Sequence, residues 1–269
     1  GWDDYRFLKN NYYLYHDPSD DLIHWIPYDY DNTFSIDWFD IDWSTVDPYD
    51  YAVIDNDGRP LTEYLFSQIR YKNLFSHFLQ FYKNQFMNLD TLQTNMEFFV
   101  DYLYTAAEED IYRTQDYGFT LDDFVNSYGY DFQNAHVKQG IMDFFQQRKT
   151  SLDNQINFED GSPIIYEAGI NNNIMVIGDT VSMAASLFGS PSNFHMFYTR
   201  EGATGWNSEP VIFSPDTLSH LIEDHDRWTA DIVPDSVGHY YWYLFATSEG
   251  VSERYPVYDF MSFEVIDQV

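Results

Sequence analysis

The chain has 269 residues, 44% hydrophobic and 20% aromatic, with 44 acids against 13 lysines and arginines and a net charge of −31. So negative a surface repels nucleic acid and anionic membranes and attracts metal ions and basic peptides, although tolerance of high salt accounts for the same number. No cysteine is present, which excludes disulfides, thiolate metal sites and cysteine nucleophiles but leaves the compartment open.

The length suits one large domain or two ordinary ones. No apolar run reaches membrane-spanning length and no signal-peptide pattern occurs. The chain opens at Gly1 rather than Met and is expected to be the C-terminal part of a longer protein, so a missing targeting signal carries no meaning.

In chain order, NYYLY and LIHWIPYD flank a Pro/Asp/Ser turn and predict a β-hairpin of two half-buried aromatic runs. After Pro60 the period becomes helical, with Leu61, Leu65, Ile69, Leu74, Phe75, Phe78, Leu79, Tyr82 and Phe86 at three- and four-residue spacing. Leu92, Met96, Phe99, Val100 and Leu103 repeat the pattern behind Asp90 as N-cap, and Thr120 with Asp123 marks a further helix start. A last helix is expected near 136–157. From 163 the pattern changes to short strands, at 163–169, 173–186, 194–200, 209–214, 227–233, 239–247 and 261–267, separated by turns such as SPSN, GATG and PDSVG. About seven strands in some hundred residues match an immunoglobulin- or fibronectin-like sandwich. The fold expected is therefore α+β. A hairpin and a mainly helical body fill 1–158, the linker lies around EDGSP, and an all-β sandwich fills 163–269.

Chemistry concentrates in the first 31 residues. Asp3 and Asp4 follow Gly-Trp, Asn10 and Asn11 precede the first strand, and Asp29 and Asp31 end the second in apolar surroundings, where an unpaired carboxylate is costly. A strand-turn-strand brings the start of one strand to the end of the next, so Asp3 or Asp4, Asn11 and Asp29 are expected to converge. One Asp accepting a hydroxyl proton, with an Asn and a second Asp holding Mg²⁺ against phosphates, is the logic of phosphoryl transfer. By spacing alone, solvated aspartates at a hairpin end fit as well.

WDDYRFLKNNYYLYHDPSDDLIHWIPYDYDNTF resembles the core motif of the CotH spore-coat kinase family, roughly Asn-Trp-Asp, then His-Asn-Tyr-Tyr-Leu-Tyr, then Ile-Pro-Trp-Asp-Leu-Asp-x-Thr-Phe. RPLTEYLF and FFQQRKTSLDNQI are similar to its helical part, so the resemblance covers about residues 1–157. It implies an atypical protein-kinase-like fold, ATP with Mg²⁺ (or Mn²⁺ or Ca²⁺), and transfer to serine of a secreted or surface protein; the acidic surface suits a basic, serine-rich one. It implies Asp3 as the catalytic Asp, Asn11 and Asp29 as the residues holding nucleotide and metal, and Asp31 as a further metal residue. The implied location is extracellular or on the cell or spore surface, with no nucleic acid partner and no membrane span; nothing in the sequence fixes the oligomeric state. Gly1 stands where Asn is usual, Asn10 where His is frequent and Tyr28 where Trp is typical. No Gly-rich phosphate loop occurs, so an N-terminal lobe with its lysine is expected upstream and this piece is expected to be inactive alone.

Other patterns compete poorly. VIDNDGRPLTE fails an EF-hand register at its first and twelfth ligands. The acids Asp37, Asp40, Asp42, Asp47 and Asp50 suit a solvated loop, a docking face for a basic segment or a calcium loop. His16 and His24 lack a third ligand, and Arg148 suits a structural ion pair. Trp38, Trp43, Tyr49 and Tyr51 could stack on sugar or peptide. Two readings rival the enzyme at this stage. One is a non-catalytic extracellular binding or adhesion protein on a kinase-like fold; the other is a calcium-dependent surface structural protein.

Overall fold

Alternating aromatic residues fold into two antiparallel strands, β1 (Tyr12–Asp17) and β2 (Leu22–Pro27), in register from Tyr12 opposite Pro27 to Asp17 opposite Leu22. The computed structural model describes residues 1–18, 21–51, 57–115, 117–219, 226–248 and 250–268. Ring pairs fix the hairpin: Tyr12 stacks on Trp25 at 4.5 Å and Tyr13 on Tyr28 at 4.7 Å. The expected half-burial is not found, because every residue of β2 is exposed, Ile23 at 68%. Cross-strand stacking, not a core beneath it, holds this ribbon together.

Five helices follow among the described residues: α1 (Pro60–Ser67), α2 (Ile69–Phe86), α3 (Leu89–Glu109), α4 (Leu121–Asn126) and α5 (Ile141–Gln155). Pro60 opens α1 and Glu63 Oε1 accepts the Arg59 amide at 2.7 Å, satisfying a donor that the helix leaves unpaired. The cap of α3 is Asn88, which accepts the Thr91 amide, and not Asp90. Thr120 and Asp123 form a complete capping box for α4. α5 begins five residues later than its periodicity suggests. Val137 bridges to Ile36 and Asn134, closing a turn over 134–137, and the Asp37 amide donates to the His136 carbonyl, so 136–139 is held out of the helix. Gly140 then starts the helix where a Cβ would stand 1.7 Å from the Gly129 carbonyl oxygen. α3 buries none of its residues; Phe99 and Leu103, expected inward, are 50% and 43% exposed.

The chain divides into two compact units, 1–68 with 78–157, and 69–77 with 158–269. The first centres on Trp2, Phe7 and Trp43, with Phe39, Ile41 and Phe144 packed against them. Their rings meet edge to face at about 5 Å.

The second unit contains β3 (Ile164–Ile170), β4 (Ile174–Val176), β5 (Val181–Phe188), β6 (Asn193–Arg200), β7 (Val211–Ile212), β8 (Ser214–Pro215), β9 (Arg227–Ile232), β10 (Gly238–Ser248), β11 (Val251–Tyr255) and β12 (Met261–Ile266). One sheet runs β3-β5-β9-β8; the other runs β4-β12-β10-β6-β7, with β11 also on β10. Alternate residues of β5 (Val181, Met183, Ala185, Leu187) and β10 (Tyr240, Trp242, Leu244, Ala246) are buried, and side chains of both sheets share one core. The expected strand 173–186 is two strands, broken at the turn where the Asp179 amide donates to Val176. β11 has no counterpart among the sequence-based strands. Residues 69–77 belong here through side chains: Asn73, 1% exposed, bonds Asp160 and Glu159, His77 stacks on Phe188 at 4.1 Å, and Arg70 pairs with Glu253.

Candidate phosphoryl-transfer site

The base of the hairpin is where the site residues meet. Beyond the strand pairs the Tyr28 amide donates to the Asn11 carbonyl, and both Asn11 and Asp29 adopt left-handed φ of 56°. Asn and Asp are the non-glycine residues that tolerate this region best, which accounts for their types at two positions where the strands must turn away. Lys9, Asp21, Phe34, Asp40 and Asp259 share the conformation at φ 55–60°, so it is not confined to this site.

Asn11 is 6% exposed. Its Nδ2 donates to the Asp3 carbonyl at 2.9 Å and to the Asp29 carbonyl at 3.1 Å, so one amide ties together the two backbones that carry the candidate carboxylates. Two carbonyl acceptors demand an NH₂ group, and the amide orientation is thereby fixed. Asn11 Oδ1 accepts no hydrogen bond among the described residues, and neither do the Asp29 carboxylate oxygens. Asp3 is held from both sides: Oδ1 accepts Asn10 Nδ2 at 2.8 Å and Oδ2 accepts Asn32 Nδ2 at 3.5 Å. Asn32 also reaches Asp31 at 3.2 Å. Asp29 and Asp31 are exposed rather than enclosed by the apolar residues around them in sequence. Asp4 faces another task, its Oδ1 accepting the Phe7 amide at 2.9 Å.

Among the described residues no three His, Asp or Glu side chains group as a metal site. Asn11, Asp29 and Asp31 nevertheless suit Mg²⁺, which typically takes one or two protein carboxylates and completes its shell with phosphates and water. The free Oδ1 of a clamped Asn and an unengaged Asp at the same hairpin base supply donors of that kind.

The acidic run is not a uniform solvated face. Asp37 is 2% exposed and accepts the Phe39 and Ile41 amides and Trp43 Nε1, folding the 37–43 loop around itself. Asp42 similarly holds Ser44 and Thr45. Trp43 is core, while Trp38 stacks on His136 at 4.6 Å. Arg148 makes no described ion pair; it donates to the Val46 carbonyl at 2.6 Å and, desolvated by burial, has its pKa lowered. Among the described residues His16 meets Asp21 at 2.7 Å.

Asn10, named beside Asn11 in the sequence, and Asn32, which spacing did not single out, hold the Asp3 carboxylate. Arg59, 4% exposed, donates to the carbonyls of Arg6, Phe7 and Asp57 and so anchors the segment just after Asp3. RPLTEYLF, among the stretches similar to the kinase family, was the available signal for Arg59. At the first position, a Cβ on Gly1 would lie 2.3 Å from the Asn32 carbonyl oxygen, which accounts for glycine where Asn is usual.

Set beside known families, residues 1–152 match the profile described as CotH kinase protein. The chain belongs to the CotH kinase family. No curated protein matches it. Among solved structures it is similar to a DUF4785 family protein from Legionella pneumophila subsp. pneumophila str. Philadelphia 1, at 10% identity and a TM-score of 0.26 over 36% of this chain and 27% of that one. It is also similar to an endo-beta-1,4-mannanase from Thermotoga petrophila, at 14% identity and a TM-score of 0.24 over 46% of this chain and 24% of that one. The chain thus spans about a quarter of the length of these structures. Likenesses of that size carry no weight, and the CotH assignment rests on the matched motif. No described helix is long and apolar enough to cross a membrane.

Proposed function

We propose that this CotH-family chain carries the acceptor and metal side of a protein kinase site, transferring the γ-phosphoryl of ATP to serine of a surface or extracellular protein. The observation that carries the reading is the Asn11 clamp, which ties Asp3 to Asp29 and leaves one amide oxygen free beside an unengaged carboxylate. Asp3, steadied by Asn10 and Asn32, accepts the proton of the attacking hydroxyl. Asn11 and Asp29, with Asp31 beside them, hold the divalent ion. When bound, that ion neutralises charge on the transferring phosphates.

Residues 163–269 fit an immunoglobulin-like sandwich appended to a domain of 1–158. Two features support this. The strand order β3-β5-β9-β8 against β4-β12-β10-β6-β7 matches ABED against GFC with short additions. Tyr240, at the start of β10, donates its hydroxyl to the Ser236 carbonyl at 2.9 Å, in the manner of a tyrosine corner.

The test is calorimetric titration of ATP with Mg²⁺ into the full-length protein, alongside initial rates on a basic serine-rich peptide. Asp29→Asn is expected to weaken metal-dependent nucleotide binding and abolish transfer. Unchanged transfer removes Asp29 from the mechanism.

A further inference from the structure

Two consecutive amides hold Asp3. Asn11 Nδ2 donates to its carbonyl at 2.9 Å, and Asn10 Nδ2 to its carboxylate Oδ1 at 2.8 Å. Neighbours in an extended chain point to opposite sides, so two in a row do not ordinarily reach one target. Here Lys9 and Asn11 take left-handed φ of 59° and 56°, and the chain bends at both. The Leu8 and Asn10 amides both donate to the Asp4 carbonyl, at 3.0 and 3.2 Å, which closes 4–10 into a loop. Asn10 is thereby carried back to a residue seven positions before it. Its side chain is exposed, so its amide answers no need of a buried core. The carboxylate is what it serves. The last torsion of an aspartate is broad, and a short charge-assisted bond narrows it.

The two oxygens of Asp3 are held unequally. Oδ1 has the short bond from Asn10. Oδ2 meets Asn32 Nδ2 at 3.5 Å, the outer limit of a hydrogen bond, and that amide is shared with Asp31 at 3.2 Å.

We propose that Asn10 is a positioning residue for serine phosphorylation: by fixing Oδ1 it presents Oδ2 as the atom that takes the hydroxyl proton. The proposal rests on the phosphoryl-transfer reading and adds to it an order among the amides, with Asn10 ahead of Asn32. As the serine oxygen bonds the γ-phosphorus and the bond from phosphorus to the ADP oxygen breaks, the serine proton passes to Oδ2. Asn10 stays on Oδ1 throughout. A carboxylate free to rotate would offer either oxygen and spend much of its time turned toward water.

Initial rates on a basic serine-rich peptide and calorimetric titration of ATP with Mg²⁺, both on the full-length protein, test this. Asn10→Ala is expected to lower kcat at least tenfold, with KM for ATP, ATP affinity and the urea midpoint nearly unchanged. Asn10→His carries a ring N–H near the position of the lost amide nitrogen and is expected to recover much of the rate. Asn32→Ala is expected to lose less than Asn10→Ala. Added to Asp3→Asn, Asn10→Ala is expected to cost less than a further twofold, because residues that act as a unit are not additive. In nitrogen-15 spectra the Asn10 side-chain amide, assigned by its loss in Asn10→Ala, is expected to move in Asp3→Ala. An unmoved amide signal overturns the proposal whether or not transfer is seen. A full tenfold further loss in the double variant overturns it, since Asn10 then acts apart from Asp3. So does a lowered urea midpoint in Asn10→Ala without rescue by Asn10→His, which makes the role structural. An undiminished kcat in Asn10→Ala beside a crippled Asp3→Asn overturns the positioning role and leaves the kinase reading standing. Asp3→Asn as fast as the parent overturns that reading, and the role of Asn10 falls with it.

Discussion

Replacing Asn11 separates the backbone role of this residue from its chemistry. Asn11→Ala removes two hydrogen bonds from a buried amide, to the Asp3 and Asp29 carbonyls, at about 1 kcal/mol each. It also forces a Cβ-bearing residue without a local hydrogen-bonding side chain to hold φ of 56°, at about 1 kcal/mol more. The total is about 3 kcal/mol. Asn11→Gly loses the same two bonds but escapes the conformational cost, so it is expected to be more stable than Asn11→Ala by about 1 kcal/mol. In ordinary helix or strand positions glycine is instead the worse residue. The assay is urea unfolding of the chain followed by tryptophan fluorescence, both variants against the parent. Both are expected to lose metal-dependent nucleotide binding equally in the full-length protein, because each lacks the amide oxygen. An alanine variant as stable as the glycine variant, or more stable, would refute the argument that left-handed backbone and clamp together hold the hairpin base.

The two carboxylates are expected to fail differently: Asp3→Asn lowers turnover by roughly a hundredfold or more with ATP and metal affinity nearly intact, Asp29→Asn weakens nucleotide binding itself, and initial rates with calorimetry tell them apart. Asp4→Asn keeps an oxygen for the Phe7 amide and is expected to be mild; severe loss there would shift the motif by one residue. Asn73→Ala strips a buried side chain from Asp160 and the Glu159 amide and is expected to cost about 2–4 kcal/mol in urea unfolding, against about 0.5 or less for the exposed Asn154→Ala. Thr120→Ala is expected to cost about 1 kcal/mol at pH 7. Hydrogen bonds from the Thr120 amide and hydroxyl hold the Asp123 pKa below its usual value, so the box's contribution is complete above the unfolded carboxylate pKa and fades as pH falls through the folded one. The gap between parent and Thr120→Ala urea midpoints is therefore expected to narrow toward pH 3, and a constant gap would detach Asp123 from the cap.

Local chemistry made part of this protein legible from the sequence. The turn residues and alternating aromatics of 12–27 specify a hairpin, and a hairpin alone brings Asn11 beside Asp29, because register fixes which residues face each other. Thr120 and Asp123 announce α4 since a capping box needs only four consecutive residues. The motif blocks within 1–152 were enough to place the chain in the CotH family. What the sequence could not supply depends on partners far along the chain. Asp37 looks like one acid in a soluble run, and only the folded loop shows it nearly closed from solvent on Trp43 and two amides. Residues 136–139 read as helix until a turn at 134–137 and hydrogen bonds to the 35–37 backbone take them out of it. Period marks Phe99 and Leu103 as inward, yet amphipathicity states which side is apolar and not whether anything covers it. Arg113 is a lone arginine in sequence. Only the fold sets it in the wall of a cavity lined by residues from 31–36 and 119–141.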